Sequence, residues 1–229
     1  MRTSLLLLAD SRLPAGGHAH SGGLEAAVAA GRVTDVESLD GFLRGRLATT
    51  GLVAASFAAA ACARSLHDHG DFSVPQHGKV SVIMENLDAE YDARTPSPAL
   101  RRVSRQQGKA LLRAGRAMWP LPVTPTDPHH PIALGILAGA AGLEPVDAAL
   151  VTAYGAVTGP ASAAVRLLGL DPYEVQALLS ALAPACDETA TTAARYAEAD
   201  PTELPAAGAP LLDIGAEVHA SWEVRLFAS

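Results

Sequence analysis

Eight histidines are the most conspicuous chemical side chains in this 229-residue chain, and six of them fall in close pairs: His18-x-His20, His67-x-His69 and His129-His130. Imidazole is a common ligand for zinc or nickel. No pair has the i, i+4 spacing of a His-Glu-x-x-His helix, and neither Cys62 nor Cys186 sits beside a histidine. One short segment therefore offers two ligands where a closed site needs four. The spacing predicts transient contact with a metal ion, not a resident metal site or cofactor. A nucleophilic hydrolase is not expected either, because the chain lacks Gly-x-Ser-x-Gly and any cysteine with a recognisable histidine partner.

Three further segments have chemical potential. Asp10–Glu25 holds Pro14 and the pairs Gly16-Gly17 and Gly22-Gly23, a density of turn formers that no helix interior tolerates. It resembles a phosphate-cradling loop but lacks the Gly-Lys-Ser/Thr ending. Ser21 is placed to cap a helix beginning at Leu24, with Glu25 near its positive end. From Ala93 to Thr126 there is no acidic residue, while Arg102, Arg105, Lys109, Arg113 and Arg116 step by 3, 4, 4 and 3. That spacing puts five positive charges on one helical face, with Val103, Ala110, Leu111, Ala114 and Met118 expected opposite. Like charges at i, i+4 repel by about 0.2–0.5 kcal/mol per pair, so the stripe suggests an acidic partner. In the tail, Leu211, Ile214, Val218, Trp222 and Leu226 recur every three or four residues, the pattern of an amphipathic helix extending to Leu226.

The elements that must carry these segments are helical. Alanine dominates, aromatics are 4% of the residues, and the β-branched residues a sheet favours are few. An all-α fold is predicted: a single bundle-like domain of about nine or ten helices over residues 1–199, a proline- and glycine-rich linker over 200–210, and a partner-binding tail over 211–229. Thr34 and Asp35 cap a helix through Leu47 that leads into an alanine-rich run ending near Leu66. Further helices are expected over Pro75–Tyr91 and Ala99–Met118. Ile132–Leu143, Pro145–Val157 and Ala161–Leu168 read as three short helices. Asp171-Pro172 opens the next, which Pro184 should kink or break at Ala183. The net charge of −7 argues against nucleic acid. Apolar stretches are short or interrupted by Gly155, Gly159 and Pro160, which argues against a membrane span. A cytoplasmic protein with two buried thiols is expected.

The order of motifs identifies the chain as a member of a known family. Leu8-Ala-Asp-Ser-Arg-Leu-Pro-Ala-Gly-Gly-His-Ala-His-Ser-Gly-Gly-Leu-Glu25 resembles the N-terminal signature of the urease accessory protein UreF family. Arg102–Leu112 is similar to its central Ser-x-Gln-x-Gly motif, and His130–Gly135 and Ala161–Leu167 to later helices. Pro210–Ile214, His219 and Arg225–Phe227 resemble its C-terminal motif. The resemblance implies an all-α, dimeric protein without catalysis of its own. Such a protein bridges a UreD/UreH-type accessory protein and the GTPase UreG so that nickel reaches apo-urease. Carried over, Asp213, Ile214, His219, Arg225, Leu226 and Phe227, with Trp222 as a bulky anchor, are the tail's partner contact. Pro14, Gly16, Gly17, His20, Ser21 and Glu25 order the GTPase-facing loop. Two alternatives remain at this level: a GTPase-activating regulator using Arg12 or Arg105, and a stand-alone nickel-binding protein.

Overall fold

Small side chains set the spacing of the helices. The computed structural model describes residues 2–68, 77–121 and 124–228, and among them every regular element is helical. In chain order these are α1 (Arg2–Ala9), α2 (Leu24–Ala29), α3 (Val36–Arg46), α4 (Leu52–Asp68), α5 (His77–Ala93), α6 (Pro98–Gly115), α7 (His130–Ala140), α8 (Pro145–Leu168), α9 (Pro172–Ala194) and α10 (Pro210–Ala220). The all-α class is the one the composition predicts. The expected start of α5 at Pro75, and the side chains of His67, His69 and His77, lie outside the described residues.

The alanine-rich α4 is the central helix, in contact with α5, α7, α8 and α9. Ala58, Ala60, Ala61 and Cys62 are fully buried, and α7 lies against them through Gly135 and Gly139. A methyl group on Gly135 would strike the Ala58 carbonyl and come within 2.6 Å of Ala61 Cβ; one on Gly139 would come within 2.6 Å of Ser65 Cβ. α6 approaches α7 and the residues leading into it in the same way, with Gly108 against the Pro128 carbonyl and Gly115 against Leu137. The buried face of α6 is consequently Ala99, Ser104, Gly108, Leu111, Leu112 and Gly115. This corrects the face expected from hydrophobicity: only Leu111 is shared, and Met118 is exposed. Close backbone approach selects small residues, and the apolar pattern alone misplaces the face.

The residues expected to open helices do so in part: at α2 the N-cap position is Gly23, not Ser21, and at α3 it is Asp35, not Thr34. Asp35 and Ser38 form a capping box at α3, Ser97 accepts from the Leu100 amide, and Asp171 accepts from the Tyr173 amide. α3 and α4 join through a π-helical turn, Leu47–Gly51, where a side chain on Gly51 would meet the Arg46 carbonyl at 2.7 Å.

The expected break before Ala161 does not occur, and α8 runs unbroken through Pro160. Pro160 has no N–H for the Ala156 carbonyl. The Arg46 guanidinium fills that role, its Nε donating to Ala156 O at 3.2 Å, so the orphaned acceptor is satisfied from outside the helix. α9 likewise continues past Pro184. There the freed Ser180 carbonyl lies on the exposed side of the helix, within reach of solvent. α3–α4 and α8 have stretches long and apolar enough to cross a membrane, but 67% and 56% of those windows are buried inside the fold. They are core helices. Cys62 and Cys186 are buried free thiols, and burial pushes the Cys62 thiol up to about 12.

The close approach of α7 to α4 predicts opposite outcomes for two glycine substitutions. Gly135→Val overpacks the interface and should lower stability by about 1–3 kcal/mol. Gly155→Ala, on a helical position where a methyl group meets nothing within 4 Å, should raise it by about 0.5–1 kcal/mol. Thermal melts followed by circular dichroism check both signs.

Candidate functional site

The N-terminal loop and the C-terminal tail form one surface through residue pairs 194 to 202 positions apart in sequence. Gly16, Gly22 and Gly23 adopt the left-handed backbone at φ 77°, 61° and 87°, which turns the chain sharply into α2. Ser21 is buried and its Oγ accepts from the Glu25 amide at 3.2 Å. The turn aims the Glu25 carboxylate inward, away from solvent. Its Oε1 accepts from the Leu226 amide at 2.8 Å, and its Oε2 from the Phe227 amide at 3.0 Å and from His219 Nε2 at 2.8 Å. An ionised carboxylate only accepts, so Nε2 carries the proton. The Ala228 amide donates to Ala19 O at 2.8 Å and extends the seam. Desolvation raises the Glu25 pKa, but the three donors together outweigh it and hold the carboxyl below its ordinary 4.5.

The same bonds bear on how far a tail helix can extend. The tail periodicity predicts a helix through Leu226, yet α10 ends at Ala220. The Leu226 and Phe227 amides are taken by Glu25 and cannot serve a helix. Phe227 instead turns into the core under the Arg166 guanidinium, 4.6 Å from the ring centre, and Trp222 rests beside the His219 ring at 4.8 Å. Of the predicted tail residues, His219 and Phe227 are buried, Asp213 and Trp222 are half-buried, and Ile214, Arg225 and Leu226 are exposed.

α10 is fixed to the body at its other side too. Glu217 accepts from the Ala99 amide at 2.8 Å and from the Ser97 hydroxyl, adding a carboxylate to the positive N-terminus of α6. Asp213 takes the Ser97 amide, and burial pushes its carboxyl above the usual range. Upstream, Arg94 donates to the carbonyls of Pro201, Thr202, Leu204 and Pro205, and Arg64 to those of Ala197 and Ala199. With Ala216 and His219 turned inward, Leu211, Ile214 and Val218 are left 62%, 61% and 50% exposed in a row along the helix. An apolar cleft of about 330 Å³ opens beside Leu211 and Leu212, walled by Val33, Phe42, Arg32 and Arg46.

Of the loop residues, Pro14 and Gly17 are exposed, Gly16 and His20 half-buried, and Ser21 and Glu25 buried. His20 lies close to His130, whose pKa burial pushes down to about 4. Among the described residues no three His, Cys, Asp or Glu side chains converge as a metal site would require.

The basic face is not uniform. Arg102, Lys109, Arg113 and Arg116 are exposed, but Arg105 is half-buried and bonded to Asp88 at 2.8 Å and Asp92 at 2.9 Å. Those carboxylates also hold buried His129, through its amide at 2.7 Å and its Nε2 at 3.0 Å. Arg12 is paired with Asp10 at 2.7 Å. Sequence reasoning missed the Glu25–His219 pairing, although both residues stand in the motifs of the two segments.

The chain matches the family model UreF over residues 33–183. It is 46% identical over 230 residues to a protein of Mycobacterium sp. (strain JLS) named urease accessory protein UreF, covering 99% of this chain and 98% of that one. A protein of the same name from Mycolicibacterium vanbaalenii is 45% identical over 232 residues, with 99% and 98% covered. One from Mycobacterium tuberculosis (strain ATCC 25618 / H37Rv) is 40% identical over 228 residues, with 98% and 97% covered.

Removing the carboxylate should free the tail without unfolding the body. Glu25→Ala leaves three donors unmet, at about 1–3 kcal/mol for each buried group, and tryptic cleavage after exposed Arg225 should accelerate at least tenfold. Acidification should act the same way. Glu25 has a lowered native pKa, so its contribution is complete above about pH 4.5 and fades as pH falls through the native value.

Proposed function

The chain belongs to the UreF family of urease accessory proteins, and on that footing we propose that it serves urease maturation as a bridge. It joins a UreD/UreH-type accessory protein to the GTPase UreG, in a cytoplasmic assembly that delivers nickel to apo-urease. In this reading the chain works as a homodimer, catalyses nothing itself, and handles nickel as cargo passed between partners.

The posture of α10 supports this reading most. A helix that turns Leu212, Asp213, Ala216 and His219 toward the body while Leu211, Ile214 and Val218 face solvent leaves most of its large apolar side chains outside, against the usual pattern of a surface helix. Leu226, beyond the helix end, is also 54% exposed. Polar anchors at Glu25 and Glu217 hold that face outward, ready for a partner to cover. Preorganisation of this kind lowers the ordering cost of association. The UreD/UreH-type protein is the partner assigned to this face, with Arg225 at its edge.

Ile214→Asp combined with Val218→Asp puts two charges on the proposed contact and touches no anchor. Each buried aliphatic side chain is worth about 1.5–3 kcal/mol, and about 1.4 kcal/mol is tenfold in affinity. Capture of the UreD/UreH-type partner should fall at least a hundredfold while the melting temperature stays near that of the parent. Undiminished capture would remove α10 from the interface.

A further inference from the structure

The exposed basic residues of α6 lie apart from the tail's apolar face and carry their own message. Lys109 and Arg113 are exposed and make no hydrogen bond or ion pair among the described residues, and Arg116 reaches only the Thr124 hydroxyl, at 3.0 Å. Arg102, at the other end, shares the field of Glu217. All four belong to a chain whose net charge is −7.

The fold contains a worked example of what this face accepts. Arg105, on the same face, is clasped by Asp88 and Asp92, two carboxylates four residues apart on α5. They stand one helical turn apart, as α6's own basic residues do. Lys109, Arg113 and Arg116 prolong the row at spacings of 4 and 3. From this internal template we propose that the α6 face Lys109–Arg113–Arg116, flanked by Arg102, docks a helical segment of a partner protein whose carboxylates recur every three or four residues.

The chemistry favours a carboxylate helix over a single anion. The three cations are spread over two helical turns, about 10 Å, and do not converge on one point. Each exposed pair gains little alone. A row of them steers encounter and fixes register, with an attraction that fades beyond about 8 Å at physiological ionic strength.

The test uses the full chain and a labelled alanine-based helical peptide with glutamates at i, i+4 and i+7, beside the same peptide with glutamines, read by fluorescence anisotropy at low and physiological salt. The glutamate peptide should bind at least tenfold more tightly than the glutamine peptide and weaken as salt rises. Lys109→Glu with Arg113→Glu should abolish that difference, and Lys109→Gln with Arg113→Gln should reduce it with the helical signal and melting curve unchanged. Arg44→Gln, on α3, should leave it intact. Equal binding of the two peptides, or a difference that survives the charge reversal, overturns the proposal. So does tighter binding of a single-stranded RNA through the same two residues, which would assign the face to phosphates.

Discussion

A single carboxylate ties the two ends of this chain together. Glu25 enters a largely apolar setting, where a bare charge is costly, and it stays ionised because three donors arrive from residues 219, 226 and 227. None of those donors has another acceptor among the described residues. The arrangement is mutual: the carboxylate needs the tail, and the tail's amides need the carboxylate. It keeps Leu226 and Phe227 out of a helix and, through His219, pins the inner side of α10 to the body. Glu217 at the head of α6 completes the fixation from the opposite side.

The body that receives this tail is assembled by close approach more than by bulk. Fully buried alanines along α4, with Gly135 and Gly139 facing them, bring backbones within reach of each other. Dispersion between many small groups then replaces the large side chains a looser core would need. Interfaces of this kind tolerate little displacement, so the surface carrying α6 and α10 is stiff. Arginines serve the same end at part-buried backbone carbonyls: Arg46 at the one freed by Pro160, and Arg94 and Arg64 along residues 197–205. A stiff base and a tail held by hydrogen bonds suit the bridging role proposed above.

Much of this was legible in the sequence. Alanine content and 3–4 spacing predict the helical class, and Asp35, Ser97 and Asp171 mark helix starts through local side-chain chemistry. The tail's apolar row is correctly a single face as far as Val218. What the sequence hides is long-range. Nothing near Pro160 reveals that Arg46 will satisfy Ala156, so a break is the natural expectation. Nothing in the tail shows that Glu25 will claim its last amides, so the helix looks longer than it is. The basic stripe reads as five equivalent charges, because Asp88 and Asp92 reach Arg105 only across two helices. Hydrophobicity misplaces the buried face of α6, since Gly108 and Gly115 carry no apolar side chain for a pattern to register.

The tail is held in place before any partner arrives, with its apolar row facing outward. Hydrogen exchange on the free full-length chain, then on its complex with a UreD/UreH-type partner, tests this directly. The amides of Leu226 and Phe227 lie outside any helix and owe their protection to Glu25. Slow exchange is expected at both in the free chain, with added protection over residues 211–218 on binding. Rapid exchange at Leu226 and Phe227 in the free chain, or a complex that leaves residues 211–218 unchanged, would contradict it.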